Sequence, residues 1–329
     1  SYHEAILKYG SDKPDLRFDM EIKVLSETMK KGCNFQVFSN ILKEGGCVRA
    51  VTLPGGAEKL SSTDLRPDSK FSQRVTRETG IKAYAWFKVS PEGKLESNIA
   101  KFFEEETLEG IKAAAEANPG DVIFMVAMKH KHVVAELCGR LRLMLAREFD
   151  LIDKSLWKFV WIVDFPAFEW NPDEKRFEPL HHPFTMIHPD DEELLGTDRM
   201  GEIRSLAYDL AGNGEELGGG SIRIHRMDLQ RKIFKAIGLS DEEADMKFDF
   251  LLEALQFGAP PHGGLAFGFD RICMFLSGED NIRAVIPFPK TQTGMCPLTL
   301  APSDVAKEQL KELGLKAVVK KAPKEEVIE

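Results

Sequence analysis

The chain has 329 residues, 43% of them hydrophobic and 29% charged, with a formal net charge of −9 at pH 7. That length supplies one large core or two domains. The acidic balance excludes indiscriminate attraction to nucleic acid or membrane through net charge, and leaves room for a local basic patch.

The first residues, SYHEAILKYG, form a short amphipathic piece that reads like the middle of a domain, so the chain is expected to be a fragment. From residue 21 to about 154, helical and strand patterns alternate. CVRAVTLPGG reads as a strand and turn. SSTDLRPDSKFSQRVTRETG reads as a helix closed by Gly80. IKAYAWFKVSPEGKLE is a hairpin turning at Pro91 to Gly93. TLEGIKAAAEANPG is a helix stopped by Asn118-Pro119-Gly120, and DVIFMVAM is a buried strand. HVVAELCGRLRLMLAREFDL places Val134, Leu137, Leu141 and Leu145 on one helical face. Together these predict a compact α+β module.

A second regime begins near Trp157. LWKFVWIVDFPAFEW reads as one long apolar strand, with a partner strand after the turn in NPDEKRFEPL. AYDLAGNGEELGGGSIRIH reads as a hairpin around Asn213-Gly214. Two helices follow, the second opening on the capping-box spacing of Ser240 and Glu243. GGLAFGFDRICMFLSG is a strand running into a helix. Long strands joined by hairpins predict an antiparallel sheet with helices on one side. The cysteines Cys33, Cys47, Cys138, Cys273 and Cys296 form no C-x-x-C pair. No signal peptide or long apolar run is present, so reduced thiols in a cytoplasmic protein without a membrane segment are expected.

The glycine strand carries the first chemistry. Alternation puts Ser221, Arg223 and His225 on one face, with Ile222 and Ile224 facing packed helices. Glu216 lies seven residues before Arg223, so a regular strand would point the two to opposite faces. A bulge at Gly218 to Gly220 returns them to one side, and the glycines then make a flat floor for a planar ligand. An arginine fork suits a carboxylate ligand. Glu216 with Asp209 suits Mg²⁺ carried by a triphosphate. A surface Glu–Arg pair, worth roughly 0–1 kcal/mol, beside a glycine-rich edge accounts for the pattern equally well.

Asp270 and Arg271 open a helix, where an anion such as a terminal phosphate is favoured. Asp270 as an ordinary N-cap beside a solvated arginine is the simpler account of those residues alone. The adjacent His181 and His182 in EPLHHPFT would face opposite ways on a strand, so at most one meets the cleft. No zinc-ligand spacing, nucleophile triad or P-loop is present.

In combination these pieces resemble the class II aminoacyl-tRNA synthetases of the bacterial aspartyl type. The matching runs are YGSDKPDLRF at 9–18, WIVDFPAFEW at 161–170, LHHPFT at 180–185, residues 207–225, and FGAPPHGGLAFGFDRICMFLSGEDNIRAVIPFPK at 257–290, in family order.

The resemblance implies a partial class II antiparallel sheet with flanking helices plus an inserted α+β domain. Its divisions are 1–20 as a segment of the catalytic domain, 21–154 as the insertion domain also found in a tRNA amidotransferase subunit, and 155–329 as the C-terminal half of the catalytic domain with motif 3. It implies an aspartate–tRNA ligase reaction: L-aspartate attacks the α-phosphate of ATP, and the aspartyl group then passes to the 3′ end of tRNA. Arg223 would grip the substrate carboxylate, and His181 would close over the amino acid. Asp209 and Glu216 would hold Mg²⁺ with ATP. Arg271 would meet the γ-phosphate, with Gly268, Phe269 and Asp270 lining the nucleotide pocket. Glu216 and Arg271 would be the catalytic groups.

The family's anticodon-binding OB-fold, its dimer-forming motif 1, its motif 2 and a lysine for the aspartate side chain have no match in the chain. A homodimer is therefore implied for the intact enzyme, and no adenylate formation for this chain alone. Lys129, Lys131, Arg140, Arg142 and Arg147 offer a basic patch for tRNA, although a solvated helix face with a Glu136–Arg140 pair is the preferred reading. A non-catalytic paralogue that binds an amino acid or nucleotide, or a tRNA-binding module centred on 21–154, stands as the alternative.

Overall fold

A computed structural model describes residues 1–316. It contains two compact units, Ser1–Gly268 and Phe269–Glu329. In the first, helix α1 (Tyr2–Tyr9) starts on Ser1, whose side chain accepts from the Glu4 amide, and ends at Gly10 with φ 67°. Then follow β1 (Lys23–Val24), α2 (Gln36–Lys43), β2 (Cys47–Leu53), the single turn α3 (Gly56–Lys59), α4 (Lys70–Thr79), β3 (Ala85–Val89), β4 (Leu95–Glu96), α5 (Glu105–Ala114), β5 (Val122–Met128) and α6 (Lys131–Glu148). The five strands form one antiparallel sheet in the order β1-β2-β5-β3-β4.

The two central strands read as continuous apolar runs because both of their faces are covered. Val51, Val122 and Phe124 pack under α4 and α6. Val48, Ile123 and Met125 pack with Phe38 of α2 and Ile111 of α5.

Two helices are shorter than their sequence patterns. The polar run from 61 does not become helix until Lys70, because Pro67 interrupts it and Ser69 supplies the N-cap, accepting from Ser72 N–H. At the other end, α5 stops at Ala114 and Glu116 takes φ 51°, before the Asn-Pro-Gly stop is reached.

Helix α6 buries Val134, Leu141 and Leu145. It also buries Arg142, which is 2% exposed and therefore does not belong to a solvated basic face. Arg142 Nε donates to Met20 O at 3.1 Å, and Nη2 donates to the carbonyls of Asp15, Phe18 and Asp19 at 2.9, 2.9 and 3.0 Å. Its guanidinium lies over the rings of Tyr9 and Phe18. Burial pulls its pKa down to about 10, so it remains charged at neutral pH. The expected Glu136–Arg140 pair is replaced by His132–Glu136 at 3.0 Å.

The second sheet begins at β6 (Phe159–Val163). The expected long strand breaks there: Asp164 takes φ 57°, Pro166 follows, and β7 (Phe168–Asn171) pairs only with β8 (Arg176–Pro179). Next come β9 (Ala207–Gly212) and β10 (Glu215–Ile222), joined at Asn213-Gly214 with φ 50° and 89°. Helices α7 (Met227–Ala236) and α8 (Asp241–Gln256) follow, then β11 (Gly263–Phe267). The sheet order is β11-β10-β9-β6, all antiparallel. Ser240 and Glu243 form a reciprocal capping box on α8. A kink at Phe248 lets its ring stack on Phe234, 5.0 Å between centroids.

The described part of the second unit holds α9 (Phe269–Ser277), one 3₁₀ turn and α10 (Lys307–Glu312). All five cysteines are free thiols; Cys47 and Cys138 are buried, while Cys33, Cys273 and Cys296 are half-buried. No helix among the described residues is long and apolar enough to cross a membrane.

Candidate functional site

The register of β10 decides which side chains share a face. Against β9, Glu216 pairs with Ala211 while Gly218 pairs with Leu210, so Leu217 is the extra residue of a β-bulge. Beyond it, Gly219 pairs with Asp209 and Ser221 with Ala207. Glu216, Gly219 and Ser221 therefore stand on the Asp209 side of the sheet. Arg223, two residues past Ser221, continues that side. The irregularity sits one step earlier than the glycine run itself, and it brings Glu216 and Arg223 to one face.

The three glycines have two different steric reasons. A Cβ on Gly219 would fall on the Asp209 carboxylate. On Gly218 it would meet Ala266 O at 2.6 Å, and on Gly220 it would collide with Gly264 O. One glycine thus makes room for a site carboxylate, and two let β11 approach closely. Gly268 closes the arrangement by donating its N–H to Leu217 O at 2.8 Å, beside the bulge.

The face brings several carboxylates together. Asp209 has its pKa raised, first by burial and then by the charges of Glu216 and Asp12, with His181 and Lys13 acting the other way. Asp12 and Lys13 belong to the YGSDKPDLRF run, whose Asp15 lies near Gly214 at the hairpin turn. That run therefore abuts the site. Sequence reasoning gave these two residues no role, although they lie in a quoted motif.

Arg223 sits at the end of β10 and donates its backbone N–H to His262 O at 2.9 Å. Its guanidinium Nη1 meets the His182 ring at Nε2, with Nδ1 3.1 Å away. The Phe184 amide donates to Nδ1, at 3.2 Å. His182 has its pKa lowered by burial, then by the Arg223 charge and by His181, which keeps the ring neutral and able to accept.

The two histidines are not on a strand. Strand β8 ends at Pro179, and Pro183 turns the chain, so both side chains reach the same region. His181 is exposed, edge-on to Phe165 at 5.0 Å, and within electrostatic range of Asp209. His182 was the residue that sequence reasoning left out. Only the turn, and not strand alternation, could have revealed it.

Of the isoleucines, Ile224 is buried among the α7 and α8 side chains, but Ile222 is 37% exposed, because it stands on the uncovered face of the sheet with Trp161, Val163 and Leu265. Ser221 is buried, and among the described residues its Oγ has no hydrogen-bond partner. It adds a polar atom to the same face. Phe269, Asp270 and Arg271 belong to the second unit, where they form the first turn of α9. Asp270 is inside the helix there and does not cap it.

A family model described as tRNA synthetases class II (D, K and N) matches residues 1–292. The chain is 47% identical over 330 residues to the "Aspartate--tRNA(Asp/Asn) ligase" of Desulfatibacillum aliphaticivorans, covering 98% of this chain and 52% of that protein. It is 50% identical over 317 residues to the protein of the same description from Halothermothrix orenii, covering 96% and 52%. The chain thus spans about half the length of these curated relatives. A solved aspartyl-tRNA synthetase from Entamoeba histolytica is 24% identical over 47% of this chain and 26% of that one, with a TM-score of 0.33.

Proposed function

Because this chain belongs to the class II tRNA synthetases of the D, K and N group, we propose that it serves aspartate–tRNA ligation, contributing the amino-acid grip and the metal-bearing carboxylates of the active site. The observation that carries this reading is the bulge at Leu217, which sets Glu216 beside Asp209 on the face of Arg223.

In the reaction, an aspartate carboxylate oxygen forms a bond to the α-phosphorus of ATP as pyrophosphate leaves. A ribose hydroxyl at the 3′ end of tRNA then takes the aspartyl group and releases AMP. No enzyme nucleophile is required, so positioning and charge stabilisation supply the acceleration. Arg223 holds a substrate carboxylate through its planar fork, and neutral His182 orients that fork without adding a competing charge. His181, exposed beside Phe165, closes over the amino acid. By the family's pattern, Arg271 on the first turn of α9 would serve the γ-phosphate, with Phe269 and Asp270 beside it, and Gly268 would meet the nucleotide.

Among the described residues, no cluster of three or more His, Cys, Asp or Glu can hold a metal. Two neighbouring carboxylates fit Mg²⁺ that arrives with ATP, since this ion commonly takes one or two carboxylates plus phosphate oxygens and water. Asp209 and Glu216 would hold it, and it would neutralise charge on the phosphates. Residues 21–154 then form the inserted module and 155–329 the C-terminal half of the catalytic domain. tRNA and a second subunit are the macromolecular partners, and the setting is the cytoplasm.

The test is an NMR titration of this chain with L-aspartate. Saturable shifts are expected, lost in Arg223→Lys and absent with L-leucine. ATP–pyrophosphate exchange by this chain alone is expected to stay at background, because the motif 2 arginine for the α-phosphate has no counterpart in it. Aspartate that perturbs nothing, or perturbs Arg223→Lys equally, sinks the reading.

A further inference from the structure

A cleft of about 710 Å³ opens between the Lys59–Asp64 turn, the outer face of α4 and the end of α6. None of the candidate site residues line it. Its volume is within the usual range for small-molecule sites. Four cations face it, Lys59, Lys70, Arg74 and Arg77, against two carboxylates, Asp64 and Glu148. In a chain of net charge −9, that is a local reversal of sign.

Both carboxylates already have partners. Asp64 Oδ2 accepts from Ser61 N and Oγ at 2.8 and 2.6 Å. Glu148 pairs with Arg74. Lys59 rests over the Phe149 ring at 5.5 Å. Among the described residues, Arg77 pairs with the exposed Glu78, at 3.3 Å. Among the described residues, Arg74 Nε is enclosed and has no hydrogen-bond partner.

Lys70 is also placed against the interest of its own helix, whereas Arg77 sits in the last turn, where a cation suits the dipole. Lys70 occupies the first turn of α4, which contains no acidic residue. A positive charge there opposes the helix dipole. Arg74 and Arg77 follow at spacings that stack like charges on one face, which destabilises a helix. Lys70 and the like-charge spacing of this face thus run contrary to what local stability favours, and the charges are directed into a concavity.

We propose that this cleft is a binding site for a phosphate-rich anion, with its phosphate groups on the Lys70–Arg74–Arg77 face and Lys59 opposite. The same chemistry is offered by a free nucleotide and by the phosphorylated end of an RNA. The site is independent of the synthetase reading, because it shares no residue with the glycine strand.

The experiment titrates the whole chain with pyrophosphate, ADP, adenosine and a short 5′-phosphorylated RNA, by calorimetry. Pyrophosphate and ADP are expected to bind and adenosine not to. Lys70→Glu/Arg77→Glu should weaken ADP by at least about tenfold, the loss expected when charge-assisted contacts to an anion become repulsive, while Lys30→Glu, an exposed cation outside the cleft, leaves it unchanged. Tighter binding of the RNA than of ADP identifies the RNA end as the source; the reverse identifies the free nucleotide. Thermal melting supplies a second readout: Lys70→Glu alone should raise Tm, since the new charge suits the helix start. ADP affinity unmoved by the double variant, affinity lost equally in Lys30→Glu, or a lowered Tm in Lys70→Glu would each overturn the proposal.

Discussion

Asp209 and Gly219 face each other across the β9–β10 ladder, and the Asp209 carboxylate occupies the space where a side chain at residue 219 would begin. The neighbouring Gly220 is blocked differently, by the backbone oxygen of Gly264. These obstacles yield differently. A carboxylate can swing away, whereas a paired strand cannot.

Gly219→Ala should therefore leave thermal stability nearly intact while weakening divalent-cation-dependent ATP binding through a displaced Asp209. Gly220→Ala should destabilise the fold by about 1–3 kcal/mol, as overpacking does. Urea denaturation and Mn²⁺-dependent nucleotide binding of the two variants, measured side by side, check the contrast. Equal stability losses would show that Asp209 has no more freedom than the β11 backbone.

The Arg223–His182 contact sets a titration. Burial and the Arg223 charge hold the His182 pKa below its ordinary value. A depressed histidine contributes stability that is present above the unfolded pKa, about 6.5, and is lost as pH falls through the folded value. Arg223→Gln removes one of these causes, so the His182 pKa should climb toward 6.5. A carboxylate bound at Arg223 should raise it too, making aspartate binding take up protons as pH falls into the range where His182 titrates. Histidine NMR titration of both proteins reads the shift directly.

Arg142 ties α6 to the run that abuts the site. It donates to four backbone carbonyls between Asp15 and Met20. Arg142→Met should cost roughly 3 kcal/mol, because those acceptors lose a charged donor in a dry setting. Arg142→Lys should fall between, since an ammonium cannot match the fork. Chemical denaturation gives the energies. Hydrogen exchange should report faster opening of residues 11–20 in Arg142→Met. Protection unchanged in that segment would contradict the tie.

Asp191 offers an acid-side test. Its carboxylate accepts from Arg204 Nε, Nη2 and the backbone amide, each at 2.9 Å. The Arg204 hydrogen bonds hold its pKa below the ordinary carboxylate value. The folded pKa is depressed, so the stabilisation is fully present above the unfolded value of about 3.9 and is lost as pH falls through the folded one. Unfolding profiles below about pH 4 should flatten in Asp191→Asn. Identical acid slopes in the two proteins would remove Asp191 from the account.

Local chemistry determined much of this protein from the sequence alone. Asn213-Gly214 dictates a tight hairpin because both positions need positive φ, and Ser240 with Glu243 dictates a helix start because the two satisfy each other's amides. The apolar runs of β2 and β5 determine buried strands. The order of five motifs pointed to the family that the residue 1–292 match establishes. What only the tertiary structure decided depends on single-residue register and on chain reversals. One unpaired residue, Leu217, moves Glu216 to the face of Arg223, and a period-two pattern cannot say where such a residue falls. Arg142 looks like a surface cation in any helical projection, and its burial follows from carbonyls more than a hundred positions away. His182 meets Arg223 because the chain leaves β8 after Pro179 and turns at Pro183, which brings Thr185 alongside Arg223. Contacts made across the fold carry no periodic signature along the chain, and for that reason three-dimensional packing had to decide them.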